Sequence, residues 1–171
     1  MDTITIERIK TLHPKIRQEV LDLYDKANNK LGKGVRLRFS YTFRTPEEQH
    51  KIFLQRPKVS NADSWQSIHN YGFAFDIVLL YDKDGDGKFE EVSWDMKRDG
   101  DKDGIPDWLE ITKTFLEGGY TNGFITNGKK WDFPHFQKDF GLSWRQMKAK
   151  IDAGQYTTEN IAGYNYKYIK I

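Results

Sequence analysis

Cysteine is absent from the 171-residue chain, proline and methionine are scarce at five and three, and only four histidines occur. Without thiols there is no disulfide and no thiolate metal site, so a bound transition metal must rest on nitrogen and oxygen donors. The absence fits an extracellular or a cytosolic setting equally. No charge of one sign dominates: 27 Lys and Arg face 25 Asp and Glu, for a net charge of +2 and a pI near 8.6. So mild a balance gives no reason to expect a nucleic-acid partner. No stretch approaches the roughly 18–20 apolar residues that cross a bilayer. The start, Met1-Asp2-Thr3-Ile4, lacks a basic region followed by an apolar run, so no signal peptide is expected unless a leader has already been removed. Aromatics, by contrast, are plentiful at 15%. A monomer with one domain over 1–171, carrying an Asp-rich insertion at about 81–110, is the expectation for this length.

The patterning reads as α+β: a small antiparallel sheet with flanking helices. Pro14 suits a first helical turn, and Ile16, Val20, Leu23, Tyr24 and Ala27 recur on one face until Asn28-Asn29 and Gly32-Lys33-Gly34. Val35, Leu37, Phe39, Tyr41 and Phe43 alternate with polar residues, which predicts a strand ending at Arg44. Thr45-Pro46-Glu47-Glu48 is a capped helix start, and the helix runs to Phe53 or Leu54. Residues 56–67 read as loop. Phe73–Leu80 is an apolar run broken by Asp76, a buried strand with one charge that needs a partner. Trp108, Ile111, Thr112 and Phe115 give a helix face closed by Gly118-Gly119, with a loop or hairpin at 120–131. Ser143 and Gln146 box the start of a last helix, and the tail from Tyr164 alternates like an edge strand. His13 reads as a helix-boundary residue and His50 as a helix-surface one.

His69 and Asp76 are seven apart, across the small residues Gly72 and Ala74, and His135 arrives much later after Pro134. Two imidazoles and one carboxylate make a zinc site with a fourth position open to water, whose pKa falls to about 7. Asp132 stands three residues before His135, placed to take the proton of that water and pass it to a leaving nitrogen. Arg44 is placed to hold a carbonyl oxygen as it becomes an oxyanion. The set therefore suggests a zinc hydrolase. The competing reading is that both histidines and Asp76 are structural hydrogen bonders.

Ser67-Ile68-His69-Asn70-Tyr71-Gly72-Phe73-Ala74-Phe75-Asp76 resembles the Ser-x-His-x-x-Gly-x-Ala-x-Asp signature of the M15 peptidases. Asp132-Phe133-Pro134-His135-Phe136-Gln137 is similar to their second signature, and Tyr41-Thr42-Phe43-Arg44-Thr45 with Gln49 to their arginine-bearing segment. The resemblance runs in order over residues 35–137. It implies the Hedgehog/DD-peptidase fold, His69, Asp76 and His135 as zinc ligands, Asp132 as general base and Arg44 as transition-state stabiliser. It also implies that Ser67 and Gln49 lie near the substrate. The substrate class it implies is the stem peptide of peptidoglycan, hydrolysed at the cell wall. An aspartate in the base position is similar to the L-alanyl-D-glutamate endopeptidase branch, phage endolysins included. D-alanyl-D-alanine carboxypeptidase is the alternative. A phage-encoded enzyme released by lysis would act at the wall without a signal peptide.

Asp99-Gly100-Asp101-Lys102-Asp103-Gly104-Ile105-Pro106-Asp107-Trp108-Leu109-Glu110 matches the calcium-loop pattern of an EF-hand. Asp99, Asp101 and Asp103 supply carboxylates, Gly104 the sharp turn, Ile105 a carbonyl, Asp107 the ninth position and Glu110 the bidentate close. Asp82, Asp84, Asp86 and Lys88 begin a second such loop, but Ser93 stands where the closing Glu belongs, so Glu90 or Glu91 would have to close a shortened one. One or two Ca2+ are thus expected beside Zn2+. A solvated acidic loop is the alternative at each. Two further function classes compete with the peptidase: a non-catalytic calcium-dependent wall-binding module and a calcium sensor that exposes a groove. The intact set Arg44, His69, Asp76, Asp132 and His135 weighs against the first, and the missing flanking helix pairs against the second.

Overall fold

A computed structural model describes residues 2–123 and 132–171. The larger sheet is antiparallel and built around β2 (Ala74–Tyr81). β1 (Val35–Tyr41) lies along one edge of β2. The other edge is shared: β3 (Glu91–Ser93) pairs with Leu79–Tyr81, and β5 (His135–Gln137) pairs with Ala74–Asp76. β4 (Thr121–Asn122) follows β5 outward. Of the loop or hairpin expected at 120–131, residues 124–131 lie outside the described residues.

β1 stops at Tyr41 rather than Phe43, and its register slips between Phe39 and Tyr41, with Ser40 as the extra residue. Such a bulge turns everything beyond it to the other face. Tyr41, expected inward with Phe39, is 42% exposed and sits opposite Asp76. Among the described residues, the free edge of β1 is covered by side chains rather than by another strand. Asn28 Oδ1 and Thr5 Oγ1 accept from the Leu37 and Phe39 amides, and Arg8 donates to the Phe39 carbonyl.

α1 (Thr3–Lys10) supplies two of those groups and was not foreseen from its short, mostly polar sequence. α2 (Pro14–Lys30) packs Ile16, Val20, Tyr24 and Ala27 into the core, with His13 as its N-cap. α3 (Pro46–Leu54) begins with the expected capping box between Thr45 and Glu48. α4 (Asp107–Glu117) buries Trp108, Ile111 and Phe115. Between them and the sheet lies an aromatic core. Phe75 stacks on Phe39 at 4.6 Å and on Phe136 at 5.7 Å, and meets Phe115 edge-on at 5.0 Å.

α5 (Trp144–Asp152) carries the Ser143–Gln146 capping box. The alternating tail is β7 (Tyr164–Ile169), paired with β6 (Tyr156–Ile161) in a separate two-stranded ribbon, so it is no edge of the main sheet. The tail is stitched to the start of α2: His13 Nε2 lies 2.9 Å from the Ile169 carbonyl oxygen, and Arg17 pairs with Glu159.

Candidate active site

The site forms at the end of the sheet where β1, β2 and β5 meet. Asp76 of β2 and His135 of β5 are direct cross-strand partners, so their side chains emerge side by side on one face. His69 comes from a single 3-10 turn, Ile68–Tyr71, capped by Ser67 and closed by Gly72 at φ +74°. Only glycine suits that position. A Cβ there would lie 2.7 Å from the backbone nitrogen of His13, and the Gly72 carbonyl accepts from that same amide. Arg44 is clipped to the turn on both sides: its amide donates to the His69 carbonyl, and its carbonyl accepts from the buried Asn70 amide.

His69 Nε2, Asp76 Oδ1 and His135 Nδ1 lie 3.0–3.4 Å from one another. The remaining ring nitrogens show which atoms carry protons. His69 Nδ1 is 2.6 Å from the Thr42 carbonyl oxygen, which only accepts, so Nδ1 holds the hydrogen and Nε2 turns a lone pair to the site. His135 Nε2 meets Gln137 Oε1 at 2.9 Å, and Gln137 is oriented by donating its own NH2 to Asp139. His135 Nδ1 therefore also presents a lone pair. Three electron-rich atoms at this range repel unless a proton or a cation sits between them. Donors about 2.0–2.1 Å from a tetrahedral zinc are separated by about 3.3 Å, so this set can hold such an ion. The outer partners on both histidines are of the kind that orient metal-ligating rings.

Electrostatics follow from burial and proximity. Burial pushes the His69 pKa down. Burial alone would raise Asp76, but the two imidazoles outweigh it and hold its carboxyl far below the usual range. Burial would lower His135, yet the Asp76 carboxylate prevails and raises it, because a proton taken up on Nδ1 would be shared with Asp76 Oδ1.

The triad opens on a cleft of about 1130 Å³ lined also by Tyr41, Arg44, Ser67, Trp94, Asp132 and Pro134. The Arg44 guanidinium rests over the Tyr41 ring at 4.7 Å, with an NH2 group 3.7 Å from Asp76 Oδ2. Gly123 abuts Asp132, where a Cβ would lie 2.5 Å from the Asp132 carbonyl oxygen. Gln49 does not face the cleft as the sequence suggested. It is fully buried, accepts from Arg44 and donates to the Ala62 carbonyl, so its place is behind the arginine. Three partners escaped sequence reading: Gln137, Asp139 and the Thr42 carbonyl. Gln137 had a signal, since residues two apart on a strand share a face. Thr42 had none.

In the insertion, the carboxylates of Asp82, Asp86 and Glu90 gather, whereas Glu91 is drawn away into a two-pronged pair with Arg98. Asp84 Oδ1 accepts from the Asp86 amide, and the Lys88 amine is taken by Asp86. These groups are largely exposed.

A small antiparallel sheet with flanking helices and a two-His, one-Asp cluster at the sheet's end place the chain among α+β proteins with a candidate metal centre. Within that class, the chain belongs to the M15 peptidase family. It is 36% identical over 134 residues to the peptidoglycan L-alanyl-D-glutamate endopeptidase CwlK of Bacillus subtilis (strain 168), an alignment covering 74% of this chain and 72% of that protein. No family model matches the chain.

Proposed function

We propose that this M15 peptidase is zinc-dependent and cleaves the L-alanyl-D-glutamate bond of peptidoglycan stem peptides, as one domain over 1–171. The carrying observation is the convergence of His69 Nε2, Asp76 Oδ1 and His135 Nδ1 with both opposite ring nitrogens held by acceptors. The similarity to an endopeptidase of that specificity supports the choice of bond. His69, Asp76 and His135 hold the ion, which when bound supplies a Lewis acid and lowers the pKa of water at the site to about 7.

The chain's own groups do the rest. Asp132, in the same cleft, accepts a proton from the attacking water and returns it to the leaving nitrogen. Arg44, held from behind by Gln49, donates to the carbonyl oxygen as negative charge develops. Ser67 fixes the His69 turn through its cap. Every group comes from one chain, which accords with a monomer acting at the cell wall, whether exported or released by phage lysis. Among the described residues no helix is long and apolar enough to cross a membrane.

Asp132→Ala is the test. It should keep its zinc by metal analysis and lose wall-lysis activity by about 10²–10⁴-fold. Lysis at the wild-type rate would remove Asp132 from the mechanism. Mass analysis of the digested wall decides the bond: new N-terminal D-Glu marks the endopeptidase, and released D-Ala the carboxypeptidase. A wild-type chain that binds walls but releases neither would instead be the non-catalytic module.

A further inference from the structure

The acidic segment 99–110 holds five carboxylates in one continuous cluster. Asp99, Asp101 and Asp107 bring one oxygen each within 4.8 Å of one another, and so do Asp101, Asp103 and Glu110. Clustered acids on a surface loop are ordinary when water solvates them. Here two oxygens are cut off from it. Asp107 Oδ1 and Glu110 Oε2 are buried and have no hydrogen-bond partner among the described residues. Asp107 is fully buried and Glu110 is 8% exposed. None of the five carboxylates is in an ion pair among the described residues. Burial pushes both pKa values up and the neighbouring aspartates add to it, while hydrogen bonds from Tyr81 and Gly100 to the other Asp107 oxygen offset part of the rise there. A buried carboxylate in this state is strongly disfavoured unless it is protonated, paired or bound to a metal.

The donors are all hard oxygens, their spacing follows the 1, 3, 5, 7, 9, 12 pattern, and Gly104 makes the sixth-position turn at φ +94°. That chemistry suits calcium, which takes six to eight oxygens at about 2.3–2.6 Å and tolerates irregular geometry, better than magnesium. The loop is also wired to the cleft. Asp107 accepts from the Tyr81 hydroxyl of β2. The next residue, Trp108, is buried with its ring edge-on to Phe133 at 4.7 Å and stacked on Trp94 at 5.9 Å. Phe133 adjoins Asp132, and Trp94 and Asp132 line the same cleft. We propose that residues 99–110 bind one calcium ion through Asp99, Asp101, Asp103, Asp107, Glu110 and the Ile105 carbonyl, and that the ion fixes the Trp108–Phe133 contact that holds Asp132 in place. The second half rests on the peptidase reading above, and the first does not.

The test uses the full zinc-loaded chain, depleted of calcium, with zinc measured in every sample. Calcium chloride alone, at about 100 times the Kd found by titration calorimetry, should raise Tm by about 5–10 °C. Glu110→Gln should lose most of that rise, while its calcium-free Tm stays at or above the wild-type value, because an amide there carries no unpaired charge. Asp82→Asn, in the other acidic loop, should keep the rise. No calcium response in the wild type, or a full one in Glu110→Gln, overturns the site. Calcium should also raise kcat several-fold at constant zinc, and Trp108→Leu should bind calcium yet lose that gain. A calcium-bound wild type with zinc intact and turnover unchanged overturns the link to Asp132. A chain with no peptidase activity under any condition refutes the peptidase reading, while the Tm series still decides the calcium site.

Discussion

Gln137 stands two residues beyond His135 on β5 and, pinned by Asp139, accepts the His135 Nε2 hydrogen. That one bond decides which nitrogen of His135 faces Asp76. Gln137→Ala should therefore weaken zinc binding by about 10–100-fold in competition with a chromophoric chelator, with the circular dichroism spectrum unchanged. Equal affinity in the two proteins would mean the ring needs no such orientation. Residue spacing alone made His69, Asp76 and His135 candidates, because a carboxylate inside an apolar strand demands a partner. It gave no means of finding Thr42, whose carbonyl reaches His69 across 27 positions of chain.

At the scale of elements, the capping boxes at Thr45 and Ser143 and the apolar period of α2 were legible because their signals are local. α1 was not, because tertiary bonds hold it more than its own pattern does. Its N-cap Asp2, 5% exposed, accepts from Thr5 and takes both prongs of Arg38 on β1. Burial pushes the Asp2 carboxyl up, but Arg38 and Thr5 outweigh it and keep its pKa below the ordinary value. A carboxylate depressed in the folded state stabilises at pH above its unfolded pKa, and that contribution fades as pH falls through the folded value. Asp2→Asn should thus cost about 1–3 kcal/mol in urea unfolding at pH 7. The gap from wild type should narrow as pH drops below about 4. A gap that is constant with pH would show that the charge on Asp2 contributes nothing.

Across the whole molecule, the aromatic core holds the strands that carry the site. Phe75 is adjacent to Asp76 and points to the opposite face, wedged among Phe39, Phe115, Tyr120 and Phe136. Phe75→Ala should cost about 3–5 kcal/mol, because the rings around it cannot close the space. Thermal unfolding would register this as a lower Tm in zinc-free and zinc-loaded protein alike. A loss seen only with zinc present would show that the residue acts on the site and leaves the core intact.

By itself the sequence determined the fold class, the capped helices, the donor triad and the spacing of the acidic loop, since each is written in residue type and local period. Tertiary structure alone decided three further matters: the turn of Tyr41 to the cleft face, the retreat of Gln49 behind Arg44, and the burial of Glu110 Oε2 without a partner among the described residues. The reason is the same in each case. A bulge, a buried amide and a desolvated oxygen are defined by neighbours distant along the chain, and no local pattern encodes which of them will be near.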